Sequence, residues 1–540
     1  MMNKYIIICC LLLISKAGFS QILTIAENSN FESTSYNKDV NEFITNITKN
    51  SKISRIETLA VSPGGNKVPL VIIADPMPKS LQEIKNDKRV VLYIQANIHA
   101  GEVEGKEASQ MLIRDLLTGT KKEWLKNIIY LICPDFNQDG NDQISKLNRT
   151  YQNGPKNGVG IRYNAQMLDL NRDAMKLESP EVNGLVKVLN SWDPQIFIDL
   201  HTTNGSYHEE PVTFTWMMNP AGDRGLIKYM EKQMMPEISK NLLGTYKVDN
   251  CFYGEFRDMG KPELGWEAYA VEPRYIVNYI GVRNRIGILN ENYVYADYKT
   301  RVLGSYSLLK SLSDYASAHA GEIKALIKAT DQKTIERGLN PMPADSFAID
   351  YKGYPLDEKI TIKTFEVELK ADTSGWDKYN ITDRKKTVTV PYIADYHPTK
   401  NVKFPFAYLI TAQDPALIDL LKRHGIQLSY LKNDRKFMVE KYKIKDLKPN
   451  MRLNQGHYNN SISGEYIKDT IEFKTGTLVV RTSQPLANLA AYLLEPESND
   501  GLVFWNFLDK FLVPQWGRGY NIFPVYKVLN KVEIETAPVQ

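Results

Sequence analysis

Between about residues 55 and 295, short apolar runs alternate with longer stretches of helical periodicity. Seven runs predict strands: "RIETLAV" (55–61), "VPLVIIA" (68–74), "RVVLYIQA" (89–96), "NIIYLIC" (127–133), "QIFIDLH" (195–201), "VTFTW" (212–216) and "RIGILNE" (285–291). The 3.6-residue period predicts helices at "EGKEASQMLIRDLLTG" (104–119), "SPEVNGLVKVLNSW" (179–192) and "RGLIKYMEKQMMPEISKNLL" (224–243). Strands rich in Val and Ile, without polar alternation, belong to a sheet covered by helices on both faces. At the second helix, Ser179 is a capping residue and Pro180 takes the first helical position.

A long helical stretch is predicted at 296–336, and "RGLNPMPADSFAIDYKGYP" (337–355) then reads as a linker. The texture changes beyond it. "ITIKTFEVELK", "KTVTVPYIADY", "FAYLIT", "RKFMVEKYKI" and "DTIEFKTGTLVV" predict strands, with helices at "DPALIDLLKRHGI" and "PLANLAAYLLE". The pattern divides the chain into an α/β domain at 21–338 and a smaller, mostly β domain at 339–540. The second domain's sequence shows no grouping of His, Cys and carboxylate.

The first twenty residues stand apart. "MMNK" is basic, "YIIICCLLLI" is a short apolar run, and Gly18 and Ser20 precede a cut before Gln21. That order predicts a cleaved secretory signal at 1–20, and the run is too short to span a bilayer. The protein is thus expected to be secreted or periplasmic, with no membrane insertion after cleavage. A formal charge of +4 on 540 residues excludes nucleic acid as an expected partner. Of four cysteines, Cys9 and Cys10 lie in the signal, leaving Cys133 in a buried strand and Cys251, with one disulfide open to them.

Seven histidines are present, and two of them, His99 in "IQANIHAGE" and His201 in "IFIDLHTTNG", each follow a buried strand. Ligands of open α/β sheets collect beyond the carboxyl ends of strands. With Glu102 three residues after His99, the two histidines can supply a His₂Glu set that leaves one zinc position open. Either histidine alone also reads as a satisfied structural group. In "LDLNRDAMK", Asn171 and Arg172 suit bidentate capture of a carboxylate, or else Arg172 pairs with Asp173. Glu291 ends an apolar strand in "RIGILNENY", either as a base in a cleft or as a partner of Arg285 or Lys299.

In this order the four features resemble the zinc carboxypeptidases of the carboxypeptidase A type: "HAGE", "LNRD", "DLH" and "ILNENY". The resemblance covers roughly residues 55 to 320, and "PDFNQDGND" is similar to the family's Asn-Pro-Asp-Gly turn with Gln138 in place of proline. It implies an α/β/α sandwich around a mixed sheet and one Zn²⁺ per chain held by His99, Glu102 and His201. It implies that Asn171 and Arg172 bind the substrate's terminal carboxylate and that Glu291 is the general base. Arg149, with Arg162 as second choice, takes the part of the arginine that polarises the scissile carbonyl. Tyr279, ahead of Tyr275, takes that of the tyrosine that caps the substrate. The implied activity is removal of C-terminal residues from peptides or proteins. A zinc amidohydrolase acting on cell-wall peptides or acyl-amino acids, and a binding module without catalysis, are the alternatives.

Overall fold

The computed structural model describes residues 22–539 except 270, 372, 374–377 and 513–520. The expected signal segment and the cut before Gln21 therefore lie outside the described residues. A mixed sheet of eight strands forms the centre. In chain order its strands are β1 (Ser54–Val61), β2 (Lys67–Ile73), β3 (Val90–Ala96), β4 (Ile128–Cys133), β5 (Ile196–Thr203), β6 (Val212–Trp216), β7 (Asn250–Phe252) and, later, β10 (Ile286–Tyr293). Their spatial order is β1-β2-β4-β3-β5-β10-β6-β7. The four inner strands β4, β3, β5 and β10 run parallel, while β6 joins β10 antiparallel.

Side chains of the inner strands divide between two apolar layers with period two. Val90, Leu92 and Ile94 of β3 enter one layer, and Val91 and Tyr93 enter the other. The first layer is closed by helices Glu104–Thr118, Tyr298–Ala318 and Ala320–Leu339, and the second by helices Pro180–Trp192 and Ile276–Val282. All seven predicted strands are present. The predicted helix at 224–243 carries one wide turn at Met230–Met234, just before Pro236, whose ring cannot extend a regular helix. The stretch at 296–336 is two helices that meet at His319.

Two local features aim the end of β3 at the site. Asn97 sits at φ 64°, the left-handed region that Asn tolerates, and its amide donates to Asp135 (2.7 Å) and Asn141 (3.0 Å). The helix after it starts at Glu104, and Gly105 lies directly on β5. A Cβ there would come 2.4 Å from the Cβ of Leu200, so only glycine brings this helix start so close to His201.

A four-stranded sheet combines β8 (Glu255–Phe256) and β9 (Trp266–Glu267) with the long hairpin β11 (Ser346–Leu369) and β12 (Tyr379–Lys403). The expected linker at 337–355 is thereby corrected from residue 346 onward, where the chain is already strand. Gly353 and Pro355 sit at or next to register shifts of this hairpin, so the residues that suggested a loop serve as bulges in a strand. A seven-stranded sheet follows, built from β13 (Ala407–Ile410), β14 (Ser429–Leu431), β15 (Arg435–Pro449), β16 (Asn460–Phe473), β17 (Leu478–Arg481), β18 (Ile522–Val528) and β19 (Thr536–Pro538). Part of this region packs into the second layer of the central sheet: Phe347, Tyr408, Leu417, Tyr492 and Trp505 share one apolar cluster with Val182, Leu189 and Ile280. Cys133 and Cys251 are both buried and free, so the disulfide left open by the sequence is not formed. Among the described residues no helix is long and apolar enough to cross a membrane.

Candidate active site

The site lies at the carboxyl ends of β3, β5 and β10, where a cavity of about 230 Å³ opens. Glu102 stands at its centre. One carboxylate oxygen, Oε1, is 3.0 Å from His99 Nδ1 and accepts from Arg149 at 2.6 Å. The other, Oε2, is 2.9 Å from His201 Nδ1 and accepts from the backbone N–H of Thr202 at 3.2 Å. All three side chains are almost fully buried. Burial alone would raise the proton affinity of Glu102, but His99, Arg149 and His201 hold it well below the usual carboxylate range.

Each imidazole is backed by a second carboxylate. His99 Nε2 is 3.0 Å from Asp169 Oδ1, and His201 Nε2 is 3.0 Å from Asp199 Oδ2. Such backing favours the outer nitrogen as the N–H, which leaves the inner Nδ1 with a lone pair. A carboxylate only accepts. With the outer nitrogens as the N–H, the lone pairs of two Nδ1 atoms and of Glu102 converge across about 3 Å, an arrangement suited to a cation among them. Two imidazoles and one carboxylate are a donor set suited to zinc with an open position. The same field acts on protons: burial disfavours the charged form of His201, yet Asp199 and Glu102 raise its proton affinity well above normal.

Glu291 faces this centre because β10 pairs with β5 in parallel register, Glu291 beside His201. Burial pushes its carboxyl up to about 8, with His201 opposing and Glu102 adding to the rise. It is paired with neither Arg285 nor Lys299. Arg285 is committed to Asp193 and Asp331.

Three arginines line the cavity. Arg149 is on Glu102. Arg162 places Nε (2.9 Å) and Nη2 (2.8 Å) on Asp169 Oδ2. Arg172 lies 3.7 Å from the same carboxylate, and its guanidinium stacks 4.2 Å from the centre of the Tyr275 ring. It makes no ion pair with Asp173, which instead holds Lys176 and caps Ser179. Asn171 accepts the N–H of Ile276 at 3.0 Å, tying the Asn171–Arg172 segment to the helix that follows Tyr275.

The structure thus brings together His99, Glu102, His201, Glu291, Arg149, Asn171 and Arg172, and it separates Tyr279 from them. Tyr279 is sealed in the core, with its hydroxyl 2.8 Å from His424 Nδ1 and accepting from Arg283 at 3.1 Å. Of the two tyrosines weighed from the sequence, it is Tyr275, one helical turn earlier, that lines the cavity, together with Tyr151, Tyr253 and Tyr269. Asp169 and Asp199 were not singled out in the sequence. Their signal was there, since an Asp stands two residues before the Asn-Arg pair and another two before His201. The C-terminal region also reaches the site: Gln455 Oε1 accepts the backbone N–H of Asp169 at 2.8 Å.

Residues 40–259 match the family model described as zinc carboxypeptidase, a span that ends before Glu291. Over that span the chain is similar to the zinc carboxypeptidases, a family of metallocarboxypeptidase hydrolases. Carboxypeptidase 2 of Trichophyton rubrum is 22% identical over 470 residues, covering 83% of this chain and 79% of that one. Carboxypeptidase 2 of Trichophyton tonsurans is 22% identical over 488 residues, covering 86% and 81%. Among solved structures, a metallo-carboxypeptidase from Burkholderia cenocepacia aligns with a TM-score of 0.38 at 15% identity, over 53% of this chain and 70% of that one.

Proposed function

We propose that the protein is an exported enzyme that removes C-terminal residues from peptides or proteins, using one catalytic zinc ion per chain held by His99, Glu102 and His201. The observation that supports this most is the register of Glu291 with His201, which sets a carboxylate of raised proton affinity beside a donor set suited to a cation. Zinc, when bound, supplies a Lewis acid to the scissile carbonyl and eases the ionisation of water at neutral pH.

The chain's own residues do the rest. Glu291 accepts a proton from the attacking water and returns it to the departing amine, a cycle suited to a carboxyl whose affinity burial has raised. Arg149, with Arg162 next to it, donates to the carbonyl oxygen as negative charge grows there. Arg172 forks onto the two oxygens of the terminal carboxylate, Tyr275 flattens that guanidinium, and Asn171 steadies the segment. The remaining wall mixes Trp216, Met218, Val271, Val277 and Leu289 with Thr202, Thr203, Asn204, Thr215 and Asn278, and its only carboxylates among the described residues are Glu102 and Glu291. With no further acid to receive a basic side chain, the pocket disfavours basic C-terminal residues. In this reading residues 21–338 carry the chemistry and residues 339–540 form an accessory unit that supports it.

A panel of free and C-terminally amidated peptides, with cell-wall fragments and acyl-amino acids alongside, tests the proposal. Release of single residues from free C-termini is expected. Turnover confined to cell-wall amides or acyl-amino acids would move the assignment to an amidohydrolase.

A further inference from the structure

A second group of donors lies away from the catalytic centre, at the outer edge of the central sheet. His208, Glu210 and Cys251 each offer one donor atom, and these atoms lie within 4.8 Å of one another. All three residues are more than nine-tenths buried, with exposures of 3%, 3% and 6%. Three chain segments must meet to form the group. Parallel pairing of β6 with β7 sets Thr213 beside Cys251, and this brings Cys251 to the residues just before β6. His208 and Glu210 belong to those residues and are two apart, so they share one side of the extended chain. Strand β11 crosses over them: the Lys363 N–H donates to Glu210 Oε1 at 2.9 Å, and the Glu209 N–H donates to Lys363 O at 2.8 Å.

Within this buried nest two polar atoms, His208 Nδ1 and Glu210 Oε2, have no hydrogen-bond partner. Leaving such atoms unmet is costly, and two of them that face each other invite a shared ligand. Their separation, 3.5 Å, is long for a hydrogen bond. It matches two donors on one tetrahedral zinc, which bond lengths of 2.0–2.2 Å place roughly 3.3–3.5 Å apart. Cys251 supplies the soft donor, and its thiol shares the buried space with Glu210.

We propose that His208, Glu210 and Cys251 form a second metal site, separate from the candidate catalytic centre, for zinc or a similar thiophilic divalent cation. A thiolate among the donors selects against magnesium and calcium. Binding exchanges the Cys251 thiol proton for the metal: the S–H bond breaks, a sulfur–metal bond forms, and the proton leaves to solvent. The His208 ring stacks on Tyr293 at 3.9 Å, and the backbone N–H of His208 donates to the Tyr293 hydroxyl at 3.2 Å. Tyr293 is two residues beyond Glu291 on β10, and Tyr253, two residues beyond Cys251, lines the catalytic cavity. An ion here therefore braces the strand end that carries the base, and the expected metal content rises from one ion per chain to two.

Cobalt(II) loading of the metal-free mature protein, residues 21–540, tests this without reference to turnover. The catalytic donor set contains no sulfur, so a thiolate-to-cobalt charge-transfer absorption that Cys251→Ala removes, with Cys133 unchanged, reports the second site. The expected result is that absorption together with two metal ions per chain. Cys251→Ala should abolish the absorption and lower the content to one ion, whereas His99→Ala should lower the content and keep the absorption. Wild-type protein that binds cobalt fully at the catalytic site but shows no sulfur-to-metal absorption overturns the proposal, whether or not the Cys251 variant folds.

Discussion

Glu291 and His201 stand side by side in parallel register across β10 and β5, so backbone pairing fixes the distance between the candidate base and a candidate metal donor. Substituting Glu291 by Gln keeps the shape and removes the ability to take a proton. Glu291→Gln is expected to lower kcat by about a hundred- to ten-thousand-fold, with KM and zinc content nearly unchanged. Steady-state kinetics beside elemental analysis decides the matter, and near wild-type kcat would return Glu291 to a structural role.

The carboxylates behind the imidazoles make a separate prediction. Asp169→Asn and Asp199→Asn should weaken zinc binding by roughly ten- to a hundred-fold while leaving the three donors in place. Competition against a chelator of known affinity measures this. Unchanged affinity in both variants would mean that the carboxylates do not orient the rings.

Arg172 is predicted to act through its planar fork. A lysine keeps the charge but offers only a point donor. Arg172→Lys should therefore reduce kcat/KM on free-acid peptides far more than on their amides, while Arg283→Lys, which touches Tyr279 and His424 instead, should not discriminate between them. Equal losses on acids and amides would remove Arg172 from carboxylate recognition.

His424 joins the helix of Tyr279 to the C-terminal region as a neutral ring. Burial, chiefly, lowers its pKa to about 3, although the Met175 carbonyl at 3.1 Å opposes the shift. The unfolded chain takes up this proton near pH 6.5 and the folded chain does not. Stability from this group is thus complete above pH 6.5 and is lost as the pH falls towards 3. Between pH 6.5 and 5 the loss should reach about 2 kcal/mol, at roughly 1.4 kcal/mol per pH unit. Melting curves of wild type and His424→Gln over this range check it: the wild type should lose more, and parallel curves would count against a neutral His424.

The strands of the central sheet were legible because inner strands are buried on both sides, and Val90–Ala96 or Ile128–Cys133 could belong to little else. Asn250–Phe252 escaped because three residues carry no period. The hairpin starting at Ser346 was hidden by Pro355 and Gly353, whose usual meaning is a loop but which here accommodate shifts of register. The candidate site residues that the structure brings together could be read from short motifs at strand ends. Tyr275 and Tyr279 could not be told apart, since both fit the motif spacing and only the start of the helix at Ile276 decides which one meets the cavity. His208, Glu210 and Cys251 left no trace as a group. Their proximity exists only through the pairing of β6 with β7, which no local pattern encodes.

The hydrogen bond from the Asp169 N–H to Gln455 has a consequence for how proteins of this kind diversify. The loop that bears Gln455 is on the surface, with Met451 and Leu453 exposed, and so it tolerates insertions and deletions better than the sheet does. Yet its tip holds the backbone of a residue that orients His99. Drift in this remote loop would be transmitted to the proposed metal donor His99 through a main-chain contact, with no change to His99, Glu102 or His201. Two such proteins with identical "HAGE" and "DLH" segments can then differ in metal retention, and the difference would be written near residue 455.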